Sequence, residues 1–340
     1  MRIGEVVDAA GTPTGSRVVT RVRDGSLYAY VVTGRRPTDP PADPRVVGPL
    51  APALMVPAPP AATGQADLVP PPADAAAAPG LDRVVFAHAD GLICADPHGL
   101  VCWQTPIRQA VACVFGVDGR VLWVYQRDGA GGGALSAVDP STGTVIATAR
   151  SAAATATTTG GRATARLLVH PDGVHLLLSV HSGPQRSTVS RARLTDGRIE
   201  VADYSTLHRR WLLDIAPDGG TFLTVGADRR DVARHRFTDG AALVRVPAAM
   251  FGWDTDADQA ALTLDGGYLD GETAIVSVTG DVGNGMEWEF RHFVDLRTGT
   301  DGGRLPAPPT PLHDAFEIRP LGDGSWLSVD HEQRVWRNLK

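Results

Sequence analysis

Residues 170–180 read HPDGVHLLLSV, and residues 216–226 read APDGGTFLTVG. Each joins one short apolar run to another through an Asp-Gly pair. Twelve such pairs punctuate the chain, at Asp24, Asp90, Asp118, Asp128, Asp172, Asp196, Asp218, Asp239, Asp265, Asp270, Asp301 and Asp323. Asp-Gly between apolar runs signals a β-hairpin, and a type I′ turn is expected because it needs positive φ at both central residues. The flanking runs (RLLVH, HLLLSV, WLLDIA, FLTVG, VLWVY, AIVSV, FEIRP) are short and β-rich, and no long segment carries helical periodicity. The chain is therefore read as all-β.

Spacing converts strands into an architecture. The pairs at Asp118, Asp172, Asp218, Asp265 and Asp323 each sit between apolar runs and are 54, 46, 47 and 58 residues apart. A second turn (STG, TDG, TDG, RTG) falls inside each interval, so each unit reads as four strands. In the clearest copy these are residues 166–170, 175–181, 188–194 and 198–202. Four short antiparallel strands repeating with a period near 40–50 residues point to the blades of a β-propeller. Blades are expected over 83–105, 110–150, 165–204, 211–246, 258–305 and 315–340. The last holds only three strands, and Arg2–Val7 is expected to supply the fourth and so close the ring. A hairpin at Arg17–Val32 begins a further blade, giving seven, with six as the alternative. The whole of 1–340 is read as one domain and as a monomeric ring.

The residues His170-Pro171-Asp172-Gly173 and Ala216-Pro217-Asp218-Gly219, with looser copies at Val117–Gly119 and Gly322–Gly324, resemble the blade turns of the broad WD40-like and TolB-like propeller superfamily. The resemblance covers Arg83–Lys340. It departs from true WD40 repeats, because the Gly-His signature is absent and the single Trp-Asp (Trp253-Asp254) does not end a third strand. What it implies is a fold.

Composition narrows the function classes. Net charge is −6 without a basic block, which argues against a nucleic-acid footprint. The most apolar stretch, 46–62, is broken by five prolines and cannot form a spanning helix, and no membrane association is expected. The start has no apolar core of a secretion signal. Cys94, Cys102 and Cys113 are too few, and odd in number, for a disulfide framework, and no CxxC marks a zinc site. A cytoplasmic protein with reduced thiols is expected. Half of the prolines, 13 of 26, lie in 37–80 beside a run of alanines, which reads as a loop or linker within the first blade. Residues 151–162, SAAATATTTGGR, read as a flexible loop.

No catalytic motif is present: no GxSxG, HExxH, P-loop or strand-borne GxGxxG. Gly129–Gly133 reads as a hairpin loop and Asp254–Asp258 as a solvated connection. Candidate ligands come instead from the strand before each turn, whose alternate residues share the face expected to line a central channel. Four polar residues break that apolar face: His88, His170, Asp214 and Arg319. They could meet a metal or an anion, or satisfy neighbouring backbone groups. Trp253, Trp288, Arg209 and Arg210 are candidate partner contacts, whereas Trp103, Trp123, Trp211, Trp326 and Trp336 are expected in the core. The leading expectation is a non-enzymatic scaffold that binds a protein partner through one face and needs no cofactor. Two alternatives stay open. One is a hydrolase or lyase using channel residues with a divalent metal; the other is a propeller that binds a small molecule or glycan.

Overall fold

The turns explain the strands. In residues 170–175 the His170 N–H donates to the His175 carbonyl at 2.9 Å, and the Gly173 N–H donates to the His170 carbonyl at 3.0 Å. Gly173 is left-handed (φ 71°) while Asp172 is not. This is a type I turn with Pro and Asp at its centre and glycine following, not the expected type I′. The Asp172 carboxylate accepts the Val174 and His175 N–H groups and so fastens the turn. The same closure recurs from Gly116 to Val121 and from Ala216 to Thr221, at 2.7 and 2.8 Å. A type I′ turn does occur once in the central copy, at Asp196 (φ 50°) and Gly197 (φ 70°), where Thr195 pairs with Arg198.

The computed structural model describes residues 3–8, 17–23, 26–32, 50–57, 74–127, 133–151, 164–181, 187–251, 261–281, 287–305, 318–329 and 334–339. These form seven antiparallel sheets in which chain neighbours pair. The first is β1 (Ile3–Asp8), β2 (Arg17–Arg23), β3 (Ser26–Val32) and β4 (Leu54–Pro57). The second is β5 (Asp74–Ala77), β6 (Val84–His88), β7 (Gly91–Ala95) and β8 (Val101–Thr105). Next come β9 (Ala110–Phe115), β10 (Leu122–Arg127), β11 (Gly133–Val138) and β12 (Val145–Ser151), then β13 (Thr164–Val169), β14 (His175–His181), β15 (Ser187–Thr195) and β16 (Arg198–Asp203). The fifth holds β17 (Arg210–Ile215), β18 (Thr221–Gly226), β19 (Asp231–Arg236) and β20 (Ala242–Pro247). The sixth holds β21 (Ala261–Tyr268), β22 (Thr273–Asp281), β23 (Glu287–Asp295) and β24 (Thr300–Arg304), and the seventh β25 (Ile318–Pro320), β26 (Ser325–Val329) and β27 (Val335–Leu339). The fold is a seven-bladed β-propeller. The only described helix is a single 3₁₀ turn, Ala248–Phe251.

Three expectations need correction. The N-terminal strand does not complete the last blade, because β1 pairs with β2 in its own sheet. Beside β27 stands Leu50, whose N–H donates to the Val335 carbonyl at 2.7 Å. The second blade begins at Asp74, not at 83. Its first turn is Ala78–Arg83, closed at 2.9 Å with Leu81 in the left-handed position (φ 56°) that glycine holds elsewhere. Without Asp-Gly this turn was hidden in the Pro/Ala stretch, which also contributes β4 and β5. In the sixth blade Asp265 lies inside β21, beside a register shift, and the turn comes at Leu269–Thr273. The rest of 37–80 beyond residues 50–57 and 74–80, and 152–162 of the Ala/Thr stretch, lie outside the described residues.

Two compact units divide the chain. The first is Met1–Arg35, Ala51–Gly183 and Ser190–Asp203; the second is Arg36–Leu50, Pro184–Val189 and Tyr204–Lys340. In the first, β1 runs beside β5, β5 beside β9 and β9 beside β13; in the second, β17 runs beside β21 and β21 beside β25. Alternate residues of a strand pack against opposite neighbours. On β9, Cys113 and Phe115 join Val85, Ala87 and Cys94 of the preceding blade, whereas Ala112 and Val114 join Leu167, Leu176 and Leu178 of the following one. Both faces are buried, which is why these strands read as unbroken apolar runs.

One carboxylate in each unit ties neighbouring first strands. Asp74 Oδ2 accepts the Cys113 N–H at 2.8 Å, and Oδ1 accepts the Ala75 N–H at 2.9 Å. Asp214 Oδ2 accepts the Tyr268 N–H at 2.8 Å. Counted back from the residues that open the turns (Ala78, Gly116, Ala216, Leu269), both bonds run from one position to the next position on the neighbouring strand. Burial pushes the Asp74 carboxyl up to about 6, against the hydrogen bonds from Cys113 and Ala75. The folded chain thus binds this proton more tightly than the unfolded chain, and the stability it contributes is lost as pH rises from about 4 through 6. Asp74→Asn cannot lose that proton. Its stability relative to wild type is expected to rise by roughly 3 kcal/mol between pH 4 and pH 7.5 in urea denaturation series.

Candidate functional site

Asp214 and Arg319 are brought together in the second unit. Arg319, on β25, reaches across to Asp214, on β17, with Nη2 3.5 Å from Oδ1. Both side chains are largely buried. The Arg319 Nε has no hydrogen-bond partner among the described residues. Gly267 (φ 155°) makes room for the carboxylate, since a Cβ there would lie 2.3 Å from Asp214 Oδ2. Asp214 therefore holds a backbone amide and a guanidinium at once, and its first role is to join strands.

His88 does not occupy the position matching His170. It ends β6, the second strand of its blade, whereas His170 follows β13, a first strand. Burial, opposed by Asp90, pushes the His88 imidazole down. Its Nε2 is buried without a hydrogen-bond partner among the described residues.

His170 is part of a tighter group. Its Nδ1 lies 3.0 Å from Asp172 Oδ1, and the His175 Nδ1 lies 2.6 Å from Asp172 Oδ2. The two rings meet edge to face, with centroids 6.0 Å apart. Ligand atoms of all three residues fall within 4.8 Å of one another. Burial raises the Asp172 carboxyl, but hydrogen bonds from His175 and Val174, with the charge at His170, outweigh it and hold the group well below the usual carboxylate range. Asp172 was read from sequence as a turn residue only, and His175 not at all. The signal was the spacing H-x-D-x-x-H, which a six-residue turn folds onto one spot.

The partner-contact candidates separate. Arg209 is exposed in a left-handed conformation (φ 64°). Arg210 is buried, which corrects its assignment to a surface. Its Nε donates to Thr224 Oγ1 at 2.6 Å, and its Nη2 pairs with Asp231 Oδ1 at 2.6 Å. Thr224 also meets His235 Nε2 at 2.9 Å. Trp253 lies outside the described residues, as does the side chain of Trp288, whose backbone lies in β23. Of the core tryptophans, Trp123 and Trp326 are buried and Trp103 is partly buried, its Nε1 donating to the Pro140 carbonyl of the next blade at 2.9 Å.

No protein-family model matches the sequence, and no curated protein matches it. Among solved structures the chain is similar to Kuenenia stuttgartiensis hydrazine synthase, with a TM-score of 0.53 and 16% identity over 76% of this chain and 74% of that one. It is also similar to BamB from Moraxella catarrhalis, with a TM-score of 0.49 and 16% identity over 99% and 85%. A third is the dihydro-heme d1 dehydrogenase NirN in complex with DHE, with a TM-score of 0.47 and 14% identity over 96% and 74%. The likeness is one of fold. The propeller resemblance read from the Pro-Asp-Gly turns holds at the level of the fold, and a fold does not by itself assign chemistry.

Two measurements test these assignments. Asp214→Ala frees both the Tyr268 amide and the Arg319 guanidinium, and is expected to cost more than 2 kcal/mol in urea denaturation. Arg319→Met, which keeps length and removes the charge, is expected to cost less than half as much. His235 carries a pH signature. Burial, partly opposed by the bond to the Gly240 carbonyl, lowers its imidazole from 6.5 to about 4. The unfolded chain takes up this proton first, so stability falls as pH drops from 6.5 towards 4, by roughly 3 kcal/mol in all. His235→Gln should flatten that acid limb.

Proposed function

We propose that the chain is a non-enzymatic propeller that binds a protein partner along the outer strands of its first unit. One observation carries the reading: each of three successive blades exposes apolar side chains on or beside its outermost strand. Met55 of β4 is 57% exposed; Leu100 and Val101, at the start of β8, are 68% and 46% exposed; Val145 and Ile146 of β12 are each 41% exposed. Successive blades touch at the ends of these strands. The chain at Gly99 passes close to the Pro57 ring, and Thr105 Oγ1 donates to the Gly143 carbonyl at 2.6 Å, joining β8 to the turn before β12.

Outermost strands leave one row of backbone groups unpaired, and proteins commonly guard such edges with charge or proline. Here β12 opens with consecutive valine and isoleucine instead. An apolar rim of this kind suits a partner that adds a strand or lays an apolar face along it. The double variant Val101→Lys with Ile146→Lys tests this. Surface changes of this type shift stability by about 0.5 kcal/mol or less, so thermal unfolding is expected to stay close to wild type. Native capture quantified by mass spectrometry should show a reproducible partner with wild type and at least tenfold less with the variant. Equal retention by both would overturn the reading.

A further inference from the structure

We infer that the turn His170–His175 is a binding site for a divalent transition metal of the zinc type, held by His170, Asp172 and His175. Sister turns supply the internal control. Gly116–Val121 and Ala216–Thr221 have the same hydrogen-bonded backbone, and in each the aspartate Oδ1 accepts an N–H two residues on, from Arg120 and Gly220. The turn thus needs its aspartate but no imidazole. Among these three turns only this copy places histidine at both ends, and among the described residues only here does an imidazole engage Oδ2 of the turn aspartate.

The hydrogen bonding at His170 places its Nδ1 against the turn aspartate. Its Nδ1 accepts the Asp172 N–H at 3.2 Å, so that nitrogen presents a lone pair. The same atom lies 3.0 Å from Asp172 Oδ1, another acceptor. One nitrogen cannot accept from the amide and donate to the carboxylate together.

Zinc binds imidazole nitrogen and carboxylate oxygen at about 2.0–2.2 Å, which sets neighbouring ligands roughly 3.4 Å apart in a tetrahedron. Taking one ligand atom from each residue, all three lie within 4.8 Å of one another, so side-chain adjustments of about 1 Å bring them to that separation. For His175 Nδ1 to bind a metal, the hydrogen that it turns towards Asp172 must leave that nitrogen, as the Nε2–H tautomer allows. Two imidazoles with one carboxylate favour zinc, cobalt or nickel over magnesium or calcium. His170 is buried while Asp172 is exposed, so the fourth position opens to solvent and takes water or an outside ligand.

The test uses the full chain, stripped with a chelator and titrated with Co²⁺ as a spectroscopic probe, then with Zn²⁺ in competition. Expected are saturable visible d–d bands at one equivalent, displacement by Zn²⁺, and a thermal midpoint that rises with Zn²⁺. His170→Ala and His175→Gln should each weaken binding at least 100-fold, whereas the exposed His98→Gln should bind as wild type. His175 is only partly buried, so His175→Gln carries the test if His170→Ala does not fold. Absence of saturable Co²⁺ binding, affinity for Mg²⁺ equal to that for Zn²⁺, or unchanged binding in folded His175→Gln would each overturn the proposal.

Discussion

Burial of both faces of inner strands such as β6, β9 and β18 is the constraint on which the rest of this protein depends. A lone four-stranded sheet would leave both apolar faces in water, so no blade is stable by itself. Phe86 of β6 packs towards the first blade with Leu27 and Val56, while Val85 beside it packs towards the third with Phe115 and Leu122. Each residue step thus turns a side chain from one interface to the next. Position along the strand, not the strand itself, decides which neighbour a residue holds.

The same constraint makes the polar residues on first strands costly. A carboxylate taken from water there needs donors, and each of the two that face a neighbouring first strand finds one in that strand's backbone. Asp74 takes the Cys113 amide and Asp214 the Tyr268 amide. Their surroundings differ. Asp74 has only amides and is pushed up to about 6, whereas Asp214 also faces Arg319. In the fifth blade His235 shows the opposite response, because burial against Phe222 and beside Arg210 disfavours its charged form. Carboxyl and imidazole both move towards neutrality for one reason, removal from water.

The turns carry a division of labour. Their backbone is shared, and what each copy places at the two ends is free to vary. Gly116 and Val121, or Ala216 and Thr221, leave a turn that only connects strands. His170 and His175 convert the same turn into a group of three donor atoms. A position that folding leaves unconstrained is where chemistry is added without disturbing the blade.

Much of the fold was legible in the chain because it is written locally. The repeat of turns and short strands led to seven blades, and strands such as His175–His181 and Arg198–Asp203 fall almost where their patterns put them. The second blade's first strand was missed because Ala-Pro-Gly-Leu makes the turn with Leu81 in glycine's place, and Asp265 misled because a register shift keeps it inside a strand. Of the site, His170 was legible as a break in an apolar face, but His175 was not, since its meeting with His170 requires the turn to fold. By itself the sequence determined strand class, turn positions and blade repeat, which depend on residues within a few steps of one another. Only the tertiary structure decided which residues meet: that Asp214 clasps a neighbouring strand, that Arg210 is buried, and that Leu50 stands beside the last blade. Those outcomes depend on contacts between distant residues, where pairing across blades and not local propensity sets the free energy.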